Sequence, residues 1–167
     1  MRLAEEHTIA FKEEMQEAFL HGFLAYNKDD NEDSNQWQVL PDEDFYQSLR
    51  AEGAEAYEAV DADGQRVGGA ILSIHKTEGE LAFLYVKVGV QSKGIGQAIW
   101  KSIEAMHPEV EVWETCTPYF DRRNIHFYIN RCGFHAVEFF NEYHPDPHMP
   151  EQFDQEDGLF KFEKRMK

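Results

Sequence analysis

The sequence has few cysteines and no long apolar segment. Its 167 residues include two cysteines, Cys116 and Cys132, whose spacing matches neither a metal site nor a disulfide framework. No apolar run is long enough to cross a membrane, and the N-terminal residues lack the apolar stretch of a signal peptide. We therefore expect a cytoplasmic protein in which residues 1–167 form a single domain.

Basic residues are also scarce. The chain has 16 lysines and arginines against 32 aspartates and glutamates, so its formal net charge is −16. Such a charge repels nucleic-acid phosphates and anionic lipids, and we expect neither nucleic acid nor a membrane as a partner. The charge favours cationic small molecules or basic peptides, although solubility alone would also explain it. An anionic cofactor would need local hydrogen-bond donors to overcome this field.

The first third of the chain has a helical pattern. Apolar residues at helical spacing predict an amphipathic helix over Glu6–Tyr26, and the segment after Pro41 predicts a second helix that ends near Gly53. Met1–Ala4 is a candidate short strand. The acidic segment Asn27–Gln36 between the two helices predicts a solvated loop, with a substrate lid as the alternative.

The rest of the chain alternates between strand and helix patterns. Two helices are predicted after the glycine-rich segment, one ended by Pro108 and one closed by Gly133. Strands are predicted at residues 54–60, 67–75, 79–90, 109–116, 134–144 and 158–166. Because the strands form hairpins first and β–α–β units later, the order predicts a mixed α/β fold.

We expect no bound metal ion. The segment 61–64 lacks the acidic ligands that a calcium loop requires at their spacing. His144, Asp146 and His148 lie in a proline-rich segment without a further cluster of ligands, which favours a surface loop. The isolated histidines on predicted strands and helices are expected to be structural, and they are His75, His126 and His135.

A glycine-containing bend separates the strand pattern from the helix that follows it. Gly94 and Gly96 let the backbone turn sharply and approach a ligand closely. The amide groups and positive dipole end of the following helix would face this bend, and Gln91 and Lys93 add side-chain donors. The segment therefore suits a phosphate or pyrophosphate, but it has neither the third glycine of a dinucleotide fold nor the Gly-Lys-Ser/Thr order of a P-loop.

Two blocks of sequence resemble the GNAT N-acetyltransferase superfamily. The first is Gln91-x-x-Gly94-x-Gly96, preceded by the strand "LYVKV" and followed by an amphipathic helix, and the second is "NIHFYINRCGF", from Asn124 to Phe134. The resemblance covers roughly residues 54–140. It implies a mixed α/β GNAT fold, with a central, mostly antiparallel sheet of six to seven strands flanked by about four helices. It also implies acetyl-CoA as the co-substrate.

The resemblance assigns residues to the cofactor. The backbone groups of Val86, Lys87 and Val88 would pair with the pantetheine arm and the acetyl carbonyl, where backbone donors would also stabilise an oxyanion. Asn124 would reach the far arm of the cofactor, and its alternative role is that of a helix-start cap. The pyrophosphate would lie over a continuous segment that consists of Gln91, Ser92, Lys93, Gly94, Ile95, Gly96 and Gln97.

The resemblance also suggests a general base. Glu80 lies eleven residues before Gln91, as does the catalytic glutamate in one branch of the superfamily, and it would accept a proton from the acceptor amine through water. The alternative role for Glu80 is an exposed residue at a strand start. Glu114, at the end of the next strand, is the rival for the base.

Tyr128 is the first choice for the general acid that protonates the CoA thiolate, with Tyr119 in reserve. Related proteins often have this tyrosine four residues before the glycine of Gly-Phe, whereas Tyr128 lies five before Gly133. On an ideal helix, the difference rotates the hydroxyl by about 100°. A bulge or a shifted helix end would restore its position.

The predicted function is transfer of an acetyl group from acetyl-CoA to a primary amine by direct attack in a ternary complex. The acceptor would be a polyamine, an amino sugar, or the lysine or N-terminal amine of a peptide. In such a transfer the acceptor amine is the nucleophile and no side chain of the enzyme has to attack the thioester. No covalent role is therefore expected for Cys116. A homodimer is compatible with the resemblance. The alternatives are another acyl group or an alcohol acceptor, a CoA-binding sensor without catalysis, and an interaction protein whose glycine bend is only a turn.

Overall fold

The chain forms a six-stranded sheet with helices on both faces. A computed structural model describes residues 1–26, 40–90, 94–118, 122–141, 143–144 and 158–166. The strands are β1 (Ala54–Val60), β2 (Arg66–His75), β3 (Glu78–Val86), β4 (Val112–Pro118), β5 (His135–Phe140) and β6 (Leu159–Arg165). The helices are α1 (Thr8–Tyr26), α2 (Asp42–Arg50), α3 (Ile95–Met106) and α4 (Arg122–His126), and a π-helical turn, Phe127–Arg131, continues α4.

The strand order in the sheet is β1-β2-β3-β4-β6-β5. The β3–β4 pair is parallel and the four other pairs are antiparallel. The predicted mixed α/β fold with a mostly antiparallel sheet is therefore confirmed. The short strand predicted at Met1–Ala4 is wrong, because this segment forms only an isolated bridge, between Arg2 and Tyr57.

The face of the sheet that carries α3 and α4 has a dry aromatic core, which we call the α3 face. Trp100 of α3 lies across Trp113 of β4 with ring centroids 5.1 Å apart, and Phe134 packs on the same indole. Gly79 of β3 makes room for this cluster, since an added Cβ would lie 2.6 Å from the Trp113 ring. Tyr128 and other buried side chains complete the core.

The opposite face, which we call the α1 face, carries α1 and α2. Phe11 of α1 packs edge-on against Tyr85 of β3 at 5.3 Å, and Phe45 of α2 joins the same cluster. An added Cβ at Gly69 would overlap the Phe11 ring, so this glycine lets α1 lie close to β2. None of the helices within the described ranges is both long and apolar enough to cross a membrane.

A partly buried network of charged side chains lies beneath α1, with Glu58 as its buried member. Arg66 of β2 donates to Glu14 of α1 and to Glu58 of β1, each at 2.6 Å, and His7 lies 3.1 Å from Glu58. Burial alone would raise the pKa of Glu58, but hydrogen bonds from His7 and Arg66 outweigh it and hold that pKa below its ordinary value. The pKa of Glu14 is lowered in the same way against burial, by Arg66 and by the hydroxyl of Tyr85.

Candidate active site

Strands β3 and β4 separate after a short paired segment. Their ladder has three residue pairs, and the last pair is Glu80 with Glu114. Beyond this point β3 continues to Val86 beside β2, while β4 continues to Pro118 beside β6. The facing edges of the two strands therefore form no ladder with each other over these residues. We call the space between them the strand opening.

A bulge lies where β3 leaves β4. The register with β2 shifts by one residue at Ala82, between Leu81 and Phe83. The Thr115 hydroxyl of β4 donates to the carbonyl of Leu81 at 2.9 Å and spans the two strands just past their last paired residues. A bulge bends its strand and occurs often beside active sites. It therefore re-aims the remainder of β3 along the strand opening.

Alternate backbone groups of β3 face the opening. The Lys87 amide donates to the Val67 carbonyl of β2 at 2.8 Å. Because successive residues of an antiparallel strand turn their backbone groups to opposite edges, Leu84 and Val86 present theirs to the opening. The backbone of Lys87 was predicted to bind the pantetheine, but its amide is already used within the sheet. Leu84 was not among the predicted residues, although counting back by two from Val86 indicates that its backbone groups face the same edge.

The strand opening leads to the start of α3. Gly94 is the residue before the helix, in the left-handed conformation with φ of 92°. It accepts a 2.9 Å hydrogen bond from Ala98 and has no side chain with which to cap the helix. Gly94 therefore does not cap the backbone amides of Ile95, Gly96 and Gln97. These amides lie at the positive end of the helix dipole, where they can bind an anion. Val88 is half-buried in the turn between β3 and this segment.

Gly96 and Gln97 have roles that the sequence did not indicate. Gly96 is helical, and an added Cβ would lie 3.0 Å from the Phe127 ring, so its small size serves helix packing. The side-chain amide of Gln97 donates to the carbonyl of Arg131 at 2.9 Å. The sharp turn predicted for both glycines is therefore made by Gly94 alone. The remaining predicted cofactor residues, Gln91, Ser92 and Lys93, lie outside the described residues.

Glu80 occupies the α1 face at the end of the β3–β4 ladder. Its neighbour Leu81 belongs to the core of the α3 face, so Glu80 points to the other side, where it is exposed. Glu114 lies beside it in register and forms an ion pair of 3.5 Å with Lys161 of β6. The two carboxylates thus lie together where the opening begins, and Lys161 supplies a counter-charge to Glu114.

Tyr128 is placed on the α3 face by the π-helical turn. It is 5% exposed, and its ring packs against Phe127, Phe134 and Phe162 with centroids 5.2 to 6.1 Å apart. The extra residue between Tyr128 and Gly133 is thus accommodated by a helical irregularity, which is one of the two outcomes expected from the sequence. The reserve residue, Tyr119, lies outside the described residues.

Asn124 is half-buried as the third residue of α4. The alternative role as a helix-start cap does not fit, because a cap precedes the first helical residue, Arg122. Cys116 is exposed on β4, whereas Cys132 is buried. Burial raises the pKa of the Cys132 thiol to about 12, so this thiol remains protonated at neutral pH.

The three histidines predicted to be structural are distributed over the sheet and α4. His75 ends β2, His135 begins β5, and both are exposed. His126 pairs with Asn130 at 2.8 Å. His144 contacts the carboxylate of Glu138 at 2.9 Å, while Asp146 and His148 fall outside the described ranges.

Comparison with known proteins decides the family. A model of the Acetyltransferase (GNAT) family matches residues 8–134, which is more than half of the chain. The chain belongs to the GNAT acetyltransferase family. It is an acyl-CoA-dependent N-acetyltransferase, as the fold and the opening beside β3 had suggested.

Individual relatives agree with this assignment. The uncharacterized protein YrkN of Bacillus subtilis is 40% identical over 177 residues, with 100% of this chain and 93% of YrkN covered. Ribosomal-protein-S18-alanine N-acetyltransferase from Escherichia coli has a TM-score of 0.68 at 14% identity, over 99% of this chain and 91% of its own. Spermidine N-acetyltransferase from Vibrio cholerae, in complex with CoA and spermine, has a TM-score of 0.65 at 12% identity. The match covers 99% of this chain and 93% of the Vibrio chain. At these identities the two structures establish the fold alone.

Proposed function

We propose that this GNAT acetyltransferase transfers the acetyl group of acetyl-CoA to a cationic primary amine by direct attack within a ternary complex. The observation that carries the proposal is the strand opening between β3 and β4. It runs from the exposed carboxylate of Glu80 at one end to Val86 at the other, where an added Cβ at Gly96 in the first turn of α3 would lie 3.6 Å from the Val86 side chain.

The residues along the opening suit acetyl-CoA. The backbone groups of Leu84 and Val86 would pair with the pantetheine amides, as an additional strand pairs with an open sheet edge. The amides of the first turn of α3 would hold the pyrophosphate. Local donors of this kind overcome the general repulsion that a net charge of −16 exerts on an anionic cofactor.

Glu80 is assigned as the general base. It is exposed on the α1 face where the strand opening begins, and the thioester would lie at this end, so a water molecule could relay a proton to Glu80 from the acceptor. The acceptor nitrogen forms a C–N bond to the acetyl carbon while the C–S bond breaks. The proton lost by the nitrogen passes to Glu80, and the sulfur receives a proton from Tyr128.

The acceptor is proposed to be cationic before it loses its proton. Glu80 and Glu114 lie together at the opening, and the whole chain is strongly acidic. A polyamine, an amino sugar and a peptide amine share this chemistry. The Vibrio and Escherichia enzymes that share the fold act on a polyamine and on a ribosomal protein, which supports an amine acceptor without choosing between these classes.

Two measurements test the proposal. Calorimetry with CoA is expected to show one site per chain, and a thiol-release assay over polyamines, amino sugars and basic peptides is expected to show turnover with one of these classes. Binding without turnover on any amine would make the protein a CoA sensor, and an absence of binding would contradict the site itself.

Glu80→Gln tests the base, with Glu78→Gln as its matched control. Glu78 lies two residues earlier on the same face of β3 and is also exposed. We expect Glu80→Gln to lower kcat by about 10²-fold and Glu78→Gln to leave it unchanged. Equal rates for the two variants would remove Glu80 from the mechanism.

A further inference from the structure

The π-helical turn after α4 carries the candidate acid. The amide of Cys132 donates to the carbonyl of Phe127, five residues earlier, at 3.0 Å. Such turns contain one residue more than an α-helical turn and are frequent at functional sites. Tyr128 therefore lies about one turn before Gly133, although five residues separate them in place of four.

Helix α3 contacts this turn at two points. The Phe127 ring lies against Gly96, whose missing side chain gives it room. One residue later, the side-chain amide of Gln97 donates to the Arg131 carbonyl at 2.9 Å. These contacts hold both ends of the turn that contains Tyr128. They come from the same first turn of α3 that would hold the pyrophosphate.

The direction of the Gln97 side chain separates it from the cofactor residues. Its donor group is used on Arg131, 34 residues away in the sequence, and its backbone amide remains part of the helix start. A π-helical turn is rare and occurs mostly as a single turn, often at a functional site. The hydrogen bond from Gln97 to the carbonyl of its last residue links this turn directly to α3.

We propose that Gln97 is a positioning residue, which holds the π-helical turn through Arg131 and thereby fixes the hydroxyl of Tyr128 at the leaving-group end of the site. The inference rests on the proposed function, because it assigns Gln97 to the chemistry of the departing thiol. It gives the side chain of Gln97 a role separate from that of its backbone, which belongs to the segment predicted to hold the pyrophosphate.

The test compares Gln97→Met with Ala98→Met. Methionine matches glutamine in size but cannot donate, and Ala98 is the next residue and is exposed. We expect Gln97→Met to lower kcat about fivefold, the effect of one hydrogen bond, with the Kd for CoA changed less than about twofold. Ala98→Met is expected to match the wild type in both. A raised Kd with normal kcat at saturation would overturn the proposal by making Gln97 a cofactor ligand.

A double-mutant cycle with Tyr128→Phe shows whether the effect passes through Tyr128. We expect Gln97→Met to cause no further loss of kcat in the Tyr128→Phe background. An equal fivefold loss in both backgrounds would overturn the proposal.

The ring signals of ¹³C-labelled tyrosine give a readout that does not require turnover. The signal of Tyr128, assigned by its loss in Tyr128→Phe, is expected to shift in Gln97→Met and not in Ala98→Met. An unshifted signal would refute the positioning role even in an active enzyme. Inactivity of the wild type on every amine, with the expected shift present, would instead refute the proposed function alone.

Discussion

The two faces of the sheet are built from different chemistry. On the α3 face, Trp100, Trp113 and their neighbours form an aromatic core, and the buried indole nitrogens of both tryptophans have no hydrogen-bond partner among the described residues. On the α1 face, an apolar cluster adjoins the partly buried network of Glu14, Arg66 and Glu58. The first face holds α3 and the candidate acid, and the second displays the candidate base.

The two faces are therefore held together by different kinds of interaction. A dry, close-packed core holds α3 and the π-helical turn in fixed positions, as a preorganised cofactor site requires. Charged side chains beneath α1 instead tie three secondary-structure elements together by specific partners, and they make that face sensitive to pH.

The largest loss of stability is expected on the α3 face. Trp100→Ala removes a fully buried indole between Trp113 and Phe134, which should lower the free energy of unfolding by about 4 kcal/mol. Denaturant unfolding measures it, with Ile9→Ala as the control because Ile9 is exposed on α1. A loss below about 1 kcal/mol would mean that this core is loosely packed.

On the α1 face, Arg66→Met should cost about 3 kcal/mol, because it leaves the carboxylates of Glu14 and Glu58 without their shared partner. The exposed Arg2, which also pairs with a glutamate of β1, provides the control, and Arg2→Met should cost less than about 1 kcal/mol. Similar costs for the two variants would show that the network contributes no more than a surface ion pair.

The same network predicts how stability depends on pH. The folded-state pKa values of Glu14 and Glu58 are lowered, so their contribution is present above the pKa of the unfolded state and is lost as the pH falls through the folded values. The wild type should therefore lose stability as the pH falls below about 5, and Arg66→Met should lose less. A difference between the two proteins that stays constant over about pH 3 to 7 would exclude this linkage.

The smallest effects are expected where α3 begins. Gly94→Ala places a side chain at φ of 92° in open space, so it should cost about 1 kcal/mol of backbone strain and weaken CoA binding. Gly96→Ala has no such strain but pushes on Phe127, so it should lower kcat more than it changes the Kd for CoA. Isothermal calorimetry and steady-state rates separate the two, and the reverse pattern would exchange the roles assigned to these glycines.

The sequence predicted the parts of the site that depend on local order. The bend at Gly94, the helix after it and the strand before it all follow from periodicity and glycine placement, and the structure contains each of them. The orientation of the backbone at Lys87 could not be predicted in this way. It depends on which edge of β3 pairs with Val67 of β2, and the pairing of strands in the sheet determines that edge.

Contacts between distant elements were also beyond the sequence pattern. Glu14, Glu58 and Arg66 belong to three elements, and each alone has the character of an ordinary surface charge. Gln97 and Arg131 meet where Phe127 packs against Gly96 of α3, a contact between elements that are distant in the sequence. The spacing of Tyr128 called for a bulge or a shifted helix end, and the sequence did not choose between them; the π-helical turn places the Tyr128 ring against Phe134 and Phe162.

The most direct test of the account is a crystal structure of the protein with CoA. We expect the pantetheine amides within hydrogen-bond distance of the backbone groups of Leu84 and Val86, and the pyrophosphate at the amides that follow Gly94. A pantetheine arm bound away from the strand opening, or a pyrophosphate away from the start of α3, would contradict the account.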